Sequence, residues 1–492
     1  MNYRMIFSTV GKVIVTVGLL LVLPLLTAVI YGEWRCALAF GVTIAGALAL
    51  GSLTVLTLKP KNMIFFSKEG FITVAMCWMV ASLVGAVPLV VSGEFTSYID
   101  ALFEIVSGLT TTGASVVPNV EVLSKSILFW RSFSHWIGGM GVIVFVMAIT
   151  ARAPDRSMHI LRAEMPGPII DKLVPRSKDT AKILYLIYMV MTVAMVIALL
   201  CCGMPFFDSL IHAFGTAGTG GFGIKSDCVA SYSAAAQWVI TIGMFLFSLN
   251  FNLYYLVLIG KIRTALKSSE LRIFSAIVVV ATAIITLNVA NLFTSFGDAL
   301  RAAAFQVCSI VSTTGFSTAD FDKWNSVSKA VLILLMFTGG CAGSTAGGLK
   351  VSRLVILWRG IKRELKKALH PRTASVVKFD GKRVDEDTIH GVGTYLGVYI
   401  FILIAVVFLL SFDPWCDAII AEGTYNVFET NFTAALTCFN NVGPGLATVG
   451  PTQSFVEYGP FSKLILTFTM LLGRLEIYPL LLTIIPATWI KR

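Results

Sequence analysis

A short glycine motif that recurs four times, each time between two long apolar runs, is the strongest constraint on how this chain can fold. The copies read Thr110-Thr111-Thr112-Gly113-Ala114-Ser115, Gly218-Thr219-Gly220-Gly221-Phe222-Gly223, Ser312-Thr313-Thr314-Gly315-Phe316-Ser317 and Asn440-Asn441-Val442-Gly443-Pro444-Gly445. Aligned on Gly113, Gly221, Gly315 and Gly443, they lie 108, 94 and 128 residues apart. Each copy ends an amphiphilic segment of roughly 14 residues that is too short to cross a bilayer at about 1.5 Å of rise per residue. The flanking runs reach 18 apolar residues or more, enough for a hydrocarbon core about 30 Å thick. Only helices and closed barrels satisfy their backbone there, and continuous rather than alternating apolarity selects helices.

The expected fold is therefore an all-α polytopic membrane protein of ten spans, with four span–pore-segment–span repeats in pseudo-fourfold arrangement and an N-terminal two-helix hairpin. The hairpin occupies 1–69, with spans at 13–31 and 36–57. The first run resembles a signal peptide but lacks a small-residue cleavage site, so it reads as a retained helix. Repeat one covers 70–150 (spans 70–92 and 127–150, pore segment 99–112) and is followed by a cytoplasmic linker at 151–180. Repeat two covers 181–271 (181–203, 207–220, 234–259) and repeat three 272–358 (272–293, 299–314, 328–358). A basic cytoplasmic linker at 359–390 precedes repeat four, 391–492 (391–411, 428–442, 460–489). Positions match between repeats: Asp100 and Asp208 both precede their glycine by thirteen residues, Phe103 and Phe305 by ten, Ser107 and Ser309 by six. The fourth repeat keeps only the small-residue character, in Thr433, Ala434, Ala435 and Thr437.

Charge orients these spans. The net charge is +11, and a basic chain often binds nucleic acid. With the N-terminus inside, however, inner segments collect 29 Lys/Arg and 11 Asp/Glu, and outer segments 8 and 15. That is the positive-inside pattern, so no nucleic-acid partner is expected. The linkers carry Arg152, Arg156, Arg162, Lys172, Arg176 and Lys178, then Lys362, Arg363, Lys366 and Lys367, suited to anionic membrane lipid or to a cytosolic partner. None of the nine cysteines forms a C-x-x-C pair and the five histidines are scattered, so no disulfide framework or metal site is implied.

Four loops meeting on one axis suit a cation that must exchange its water for protein oxygens. Rings of backbone carbonyls do this for K⁺, and glycine permits the conformations that aim them inward. The candidate ion-binding residues are Thr111, Thr112, Gly113, Thr219, Gly220, Gly221, Thr313, Thr314, Gly315, Asn441, Val442 and Gly443. Pore segments entering from outside would point their partially negative C-termini at the ion, with Asp100 and Asp208 at the positive ends. The competing explanation, close helix packing through small residues, accounts for one such loop but poorly for four at matching positions. Gly218-x-Gly220-x-x-Gly223 also matches a dinucleotide fingerprint, but without the strand that motif requires.

These four loops, with the two additional N-terminal spans, resemble the Trk-type potassium uptake transporters of the Trk/Ktr/HKT superfamily, in its TrkH/TrkG branch rather than the shorter Ktr branch. The likeness covers essentially the whole chain. It implies K⁺ uptake through a gated, channel-like pore with a four-glycine selectivity filter, and glycine rather than serine at Gly113 favours K⁺ over Na⁺. It further implies a homodimer in the cell inner membrane, both termini cytoplasmic, with a cytosolic TrkA-type regulatory subunit. NAD and ATP are expected on that partner, and no cofactor on this chain. The second loop, with Gly218, Gly220, Gly221 and Gly223, is richer in glycine than the family pattern, which predicts a looser quarter.

Two features fall outside the loops. The run from Thr338 to Gly348, with Gly339, Gly340, Gly343, Gly347 and Gly348, interrupts a span. The i, i+4, i+8 spacing of Gly339, Gly343 and Gly347 fits small-residue helix packing. So many glycines also make a continuous helix costly, at nearly 1 kcal/mol each, and a broken helix below the filter is expected. Arg474 sits in the last span, where a charge needs a cavity or partner. It is expected either to bind backbone carbonyls or to stand as a fixed positive charge below the filter. The resemblance implies a gating role for both features. Asn250 and Asn252 are expected to hydrogen-bond between helices, and His135 and His212, placed near the outer ends of their segments, are given no chemistry.

A membrane potential supplies about 2.3 kcal/mol per charge per 100 mV, so passive uptake needs no coupling, and no P-loop motif marks a pump. The alternatives are a Na⁺-selective or H⁺/Na⁺-coupled K⁺ carrier of the same superfamily and, more remotely, a membrane-embedded enzyme, for which no His/Asp/Glu cluster within the spans is evident.

Overall fold

In a computed structural model, residues 1–59, 67–141, 177–372, 375–416 and 426–489 are described. Most of the 151–180 linker, the second half of the 127–150 span, most of the 58–69 loop and Lys491–Arg492 lie outside them. The regular structure of the described residues is helical, apart from one two-stranded hairpin, Lys378–Phe379 with Lys382–Arg383. That hairpin turns on Asp380 and Gly381, both at positive φ (46° and 79°), a pair suited to a tight two-residue turn.

The ten expected spans separate into two kinds. Among the described residues, six helices are long and apolar enough to cross a membrane: Tyr3–Ile30, Trp34–Thr57, Lys68–Val91, Lys182–Cys201, Ser269–Leu292 and Glu386–Leu410. These are the two hairpin spans and the first span of every repeat. No second span runs as one long helix among the described residues. In repeat one the helix Lys125–Gly139 ends well before residue 150, and the chain beyond Gly141 is outside the described residues. In repeat two, Ala234–Phe247 and Phe251–Leu258 meet at 91°. In repeat three, Ser326–Thr338 stops and Val351–Leu369 resumes, running eleven residues past the expected boundary at 358. In repeat four, Pro460–Arg474 breaks before Tyr478–Ile484.

Between first and second spans lie the pore helices Tyr98–Leu109, Phe206–Gly218, Phe296–Val311 and Val427–Asn440. Their 12 to 16 residues reach about 18–24 Å, short of the hydrocarbon thickness. Each starts with an acid in its first turn: Asp100 and Asp208, as expected from the sequence, and also Asp298 and Glu429. Ser97, Ser295 and Asn426 cap three of them through side-chain oxygens. Beyond their exposed first turns the pore helices are mostly buried, whereas the long spans turn apolar faces outward. Leu186, Val190, Val193 and Ile197 on one helix and Phe401, Ile404 and Phe408 on another are exposed at helical spacing. Such stripes suit a hydrocarbon solvent and would be aggregation surfaces in water.

The N-terminal hairpin closes through small residues. A β-carbon added at Gly51 would lie 2.7 Å from Val15 Cγ2 and 2.8 Å from the Gly11 carbonyl oxygen. Gly51→Leu should therefore force the two helices apart and cost about 1–3 kcal/mol. Thermal unfolding in detergent should show a lowered midpoint; an unchanged midpoint would mean that this contact does not hold the hairpin.

Candidate functional site

The four glycine loops form one closed ring. Each pore helix ends with the same backbone manoeuvre. Thr112, Gly220, Thr314 and Val442 donate their N–H groups to carbonyls five residues back, on Ser107, Gly215, Ser309 and Thr437, at 2.8–2.9 Å. The residue before each donor is left-handed: Thr111 (φ 58°), Thr219 (56°), Thr313 (57°) and Asn441 (55°). The residue after it is a glycine at positive φ: Gly113 (81°), Gly221 (74°), Gly315 (84°) and Gly443 (98°). Repeat four, the most divergent in sequence, keeps this geometry because asparagine tolerates the left-handed region.

Glycine is required at the ring for a second reason. A β-carbon at Gly113 would overlap the Gly220 carbonyl oxygen, one at Gly221 that of Thr314, and one at Gly315 that of Val442. One at Gly443 would lie 2.6 Å from the Thr112 oxygen, which returns the circuit to repeat one. The repeats thus meet in chain order, and all twelve candidate residues lie on this ring or immediately beside it. Above it, a cavity of about 110 Å³ is lined by the four glycines together with Ser115, Arg131 and Lys225. Below it, a cavity of about 50 Å³ is lined by Gly343, Gly347, Lys350, Gly473, Arg474 and Glu476.

The lower cavity is bounded by the two broken spans. Between Thr338 and Val351 the chain is a folded loop, not a helix. Gly339, Gly343 and Gly348 have positive φ, and Gly339 and Gly348 pack so closely that a β-carbon on Gly348 would sit 2.7 Å from Gly339 Cα. The loop touches the ring from below, where the Gly347 N–H donates to Thr313 Oγ1 at 2.7 Å. Arg474 meets both: its guanidinium donates to the Thr345 carbonyl (2.8 Å), to the Gly139 and Gly138 carbonyls and to Thr111 Oγ1 (3.3 Å). The two expectations for Arg474 are therefore one arrangement, since the carbonyls are what hold the charge under the ring. Glu476 pairs instead with Arg353, and Lys350, Glu476 and Ile477 carry positive φ of 68°, 53° and 69°. Such strain in non-glycine residues persists only where surrounding contacts enforce it.

Comparison with known proteins places this arrangement. The family model for TrkH, described as a cation transport protein, matches residues 39–489. The Trk system potassium uptake protein TrkH of Salmonella typhimurium is 36% identical over 99% of this chain and its own whole length. TrkG of Escherichia coli K12, also a Trk system potassium uptake protein, is 30% identical over 98% of this chain and 97% of its own. The crystal structure of the potassium transporter TrkH from Vibrio parahaemolyticus superposes with a TM-score of 0.86 at 31% identity, covering both chains completely. The chain belongs to the TrkH family of cation transport proteins. It is a multi-pass membrane transporter and not an enzyme.

Within this TrkH-family chain, several supporting residues escaped the sequence reading. Glu104 and Arg131, both fully buried, form a 2.6 Å ion pair behind the first loop. Glu104 also accepts from Ser115 Oγ (2.9 Å) and the Val116 N–H (3.0 Å), while Arg131 stacks on Phe222 of the second loop, 4.2 Å from its centre. His135 is deep in its helix rather than at the outer end. Its Nδ1 lies 2.8 Å from the Gly108 carbonyl and its Nε2 3.3 Å from the Phe222 N–H, a pairing that fits one neutral tautomer. The glycine-rich second loop is consequently packed rather than loose, because a β-carbon at Gly220 would overlap the His135 ring. Asn250 does not bridge helices as expected; its Oδ1 accepts the Asn252 N–H at 2.9 Å and caps the helix after the 91° bend. A charge inside a pore segment was the available signal for Glu104, whereas nothing local marked His135.

Arg131→Leu would leave Glu104 buried and unpaired, at a cost of about 3–5 kcal/mol. Adding Glu104→Leu should recover only part of it, since Ser115 and Val116 then lose their acceptor. A double-mutant cycle by thermal unfolding checks this; additive losses would deny the pair any coupling.

Proposed function

We propose that this chain carries K⁺ into the cell through the ring of four loops, with the ring as selectivity filter and the 339–350 loop and Arg474 as the barrier beneath it. The observation that supports this most is the closed circuit of glycines against neighbouring carbonyls, which sets Thr112, Gly220, Thr314 and Val442 side by side around one axis. Such carbonyls can replace the water around a dehydrated cation. Pore-helix C-termini converge on the same place, and acids stand at all four N-terminal ends, where the helix dipole favours them. Arg474 sits on the line an ion would take after leaving Thr111, and its fixed charge raises the barrier for cations there.

The direction follows from the membrane potential. At 100 mV, inside negative, about 2.3 kcal/mol per charge corresponds to roughly fifty-fold accumulation, so uptake requires no coupled ion. Positive-inside charge favours an inner-membrane orientation with both termini cytoplasmic. The Trk system named in the relatives is consistent with a multi-component assembly. For this chain we propose a homodimer whose basic cytoplasmic face, including Lys362, Arg363, Lys366 and Lys367 on helix Val351–Leu369, meets anionic lipid and a TrkA-type subunit. NAD and ATP would act on that subunit.

⁸⁶Rb⁺ uptake into proteoliposomes under an inside-negative potential, with external Na⁺ as competitor, tests the reading. Wild type should take up Rb⁺ and ignore Na⁺. Gly113→Ser places a side chain at φ 81° against the Gly220 carbonyl and should reduce discrimination about ten-fold, equivalent to ~1.4 kcal/mol. Arg474→Ala should raise flux without altering discrimination. Uptake that demands a proton or sodium gradient would replace the passive pore by a coupled carrier.

A further inference from the structure

The inner loop is tied to three neighbours already described: the ring through Thr313, repeat four through Arg474, and the bend of repeat two, where Cys341 N–H donates to the Ser248 carbonyl at 3.0 Å. A fourth tie comes from repeat three itself. Glu270, at the cytoplasmic start of helix Ser269–Val289, directs one carboxylate oxygen at two amides. Its Oε1 accepts the Ala342 N–H at 2.8 Å and the Ser352 N–H at 3.2 Å. Ala342 belongs to the loop, and Ser352 to the first turn of the helix that follows it. A single oxygen therefore spans the break.

We propose that Glu270 is the positioning residue of the inner loop, a carboxylate clamp that holds the loop closed under the filter and must let go for ions to pass. The proposal rests on the reading of that loop as the barrier. Glu270 is 5% exposed and, among the described residues, makes no ion pair with a lysine or arginine. A buried carboxylate without a salt bridge is costly unless its hydrogen bonds offset the lost hydration. Bonds from amides to a charged oxygen are about twice as strong as neutral ones, so the two amides supply its direct stabilising contacts, and buried Lys350 adds a Coulombic attraction from beyond ion-pair distance.

The surroundings supply both a lever and room to move. The neighbouring Ser269 N–H donates to Asp380 Oδ1 at 2.6 Å, and Asp380 is the turn residue of the cytoplasmic β-hairpin. Displacing that hairpin pulls on the residue next to the clamp. A cavity of about 990 Å³, lined by Ala342, Ser352, Asp380 and Lys382 as well as Glu270, opens on the cytoplasmic side and leaves space for the carboxylate to withdraw. Loop, clamp and hairpin form one connected path from the cytoplasmic surface to the underside of the ring.

The test uses the full chain in proteoliposomes and the native thiol of Cys341, buried in the loop beside Ala342. A membrane-impermeant methanethiosulfonate is applied from the cytoplasmic side, labelling of Cys341 is followed by peptide mass spectrometry, and ⁸⁶Rb⁺ flux with Na⁺ competition is measured in parallel. Glu270→Gln should raise both the labelling rate and the flux about ten-fold, the effect of weakening charge-assisted bonds to the loop, with discrimination unchanged. Asp380→Asn should raise both by less. Unchanged labelling in Glu270→Gln overturns the clamp. Faster labelling with unchanged flux shows that the clamp holds the loop but that the loop is not the barrier, which overturns the gating reading and with it the proposed control of permeation. If Glu270→Gln does not fold, hydrogen exchange of wild type decides: slow exchange at Ala342 and Ser352 supports the clamp, and exchange there as fast as at unbonded loop amides overturns it.

Discussion

The close approach of a residue without a β-carbon to its neighbour's carbonyl is the contact on which this architecture depends. It occurs four times around one axis, and each instance joins two different repeats. The helix ends are built so that a left-handed residue, the residue that donates back to the helix, and a glycine at positive φ follow one another. With that turn the carbonyls stand side by side; a side chain in place of any of these glycines forces the neighbouring carbonyl to shift. Pore helices, caps and outer spans are arranged to deliver four such ends to one place.

The second requirement is to keep charge stable where the bilayer would penalise it. Glu104 and Arg131 neutralise each other while bracing two adjoining loops. Arg474 finds the carbonyls of Gly138 and Gly139, at the end of a helix, and of Thr345 in the inner loop. Glu476 finds Arg353, and Glu270 finds amides. Apart from Glu104–Arg131, which joins the interiors of two helices, each of these contacts lies at a break or an end in a helix. The second spans of repeats two, three and four are interrupted, and the interruptions expose backbone groups that the charges and the ring use. The first span of each repeat carries no such duty and runs as one continuous helix.

Legibility from sequence followed the range of the interaction. Pore segments were readable to within a few residues because their apolar pattern and the Gly-rich stop are local. The Gly-rich interruption after Thr338 was readable for the same reason, since the glycine cost falls on the helix that contains it. The break after Arg474 was not, because Ile477 is a poor candidate for positive φ by its own preferences and takes it only under contacts from elsewhere. His135 looked like an isolated histidine in an apolar run until Gly108 and Phe222 were brought to either side of its ring. The extra glycines of the second loop suggested looseness for a related reason, because the ring that fills the space belongs to another repeat.

The sequence by itself determined that the chain spans a membrane, that it is built from four comparable units with an added hairpin, and that glycine at four equivalent positions lies at its centre. These follow from apolar length, spacing and backbone preference, which a residue carries wherever it is placed. Only the tertiary structure decided that the loops close in chain order, that the first span of each repeat is continuous while the second spans of repeats two, three and four break, and which partners accept Arg474, Glu104, His135 and Glu270. Those depend on atoms brought together from residues tens to hundreds apart in the chain, and no local pattern encodes a distance of that kind.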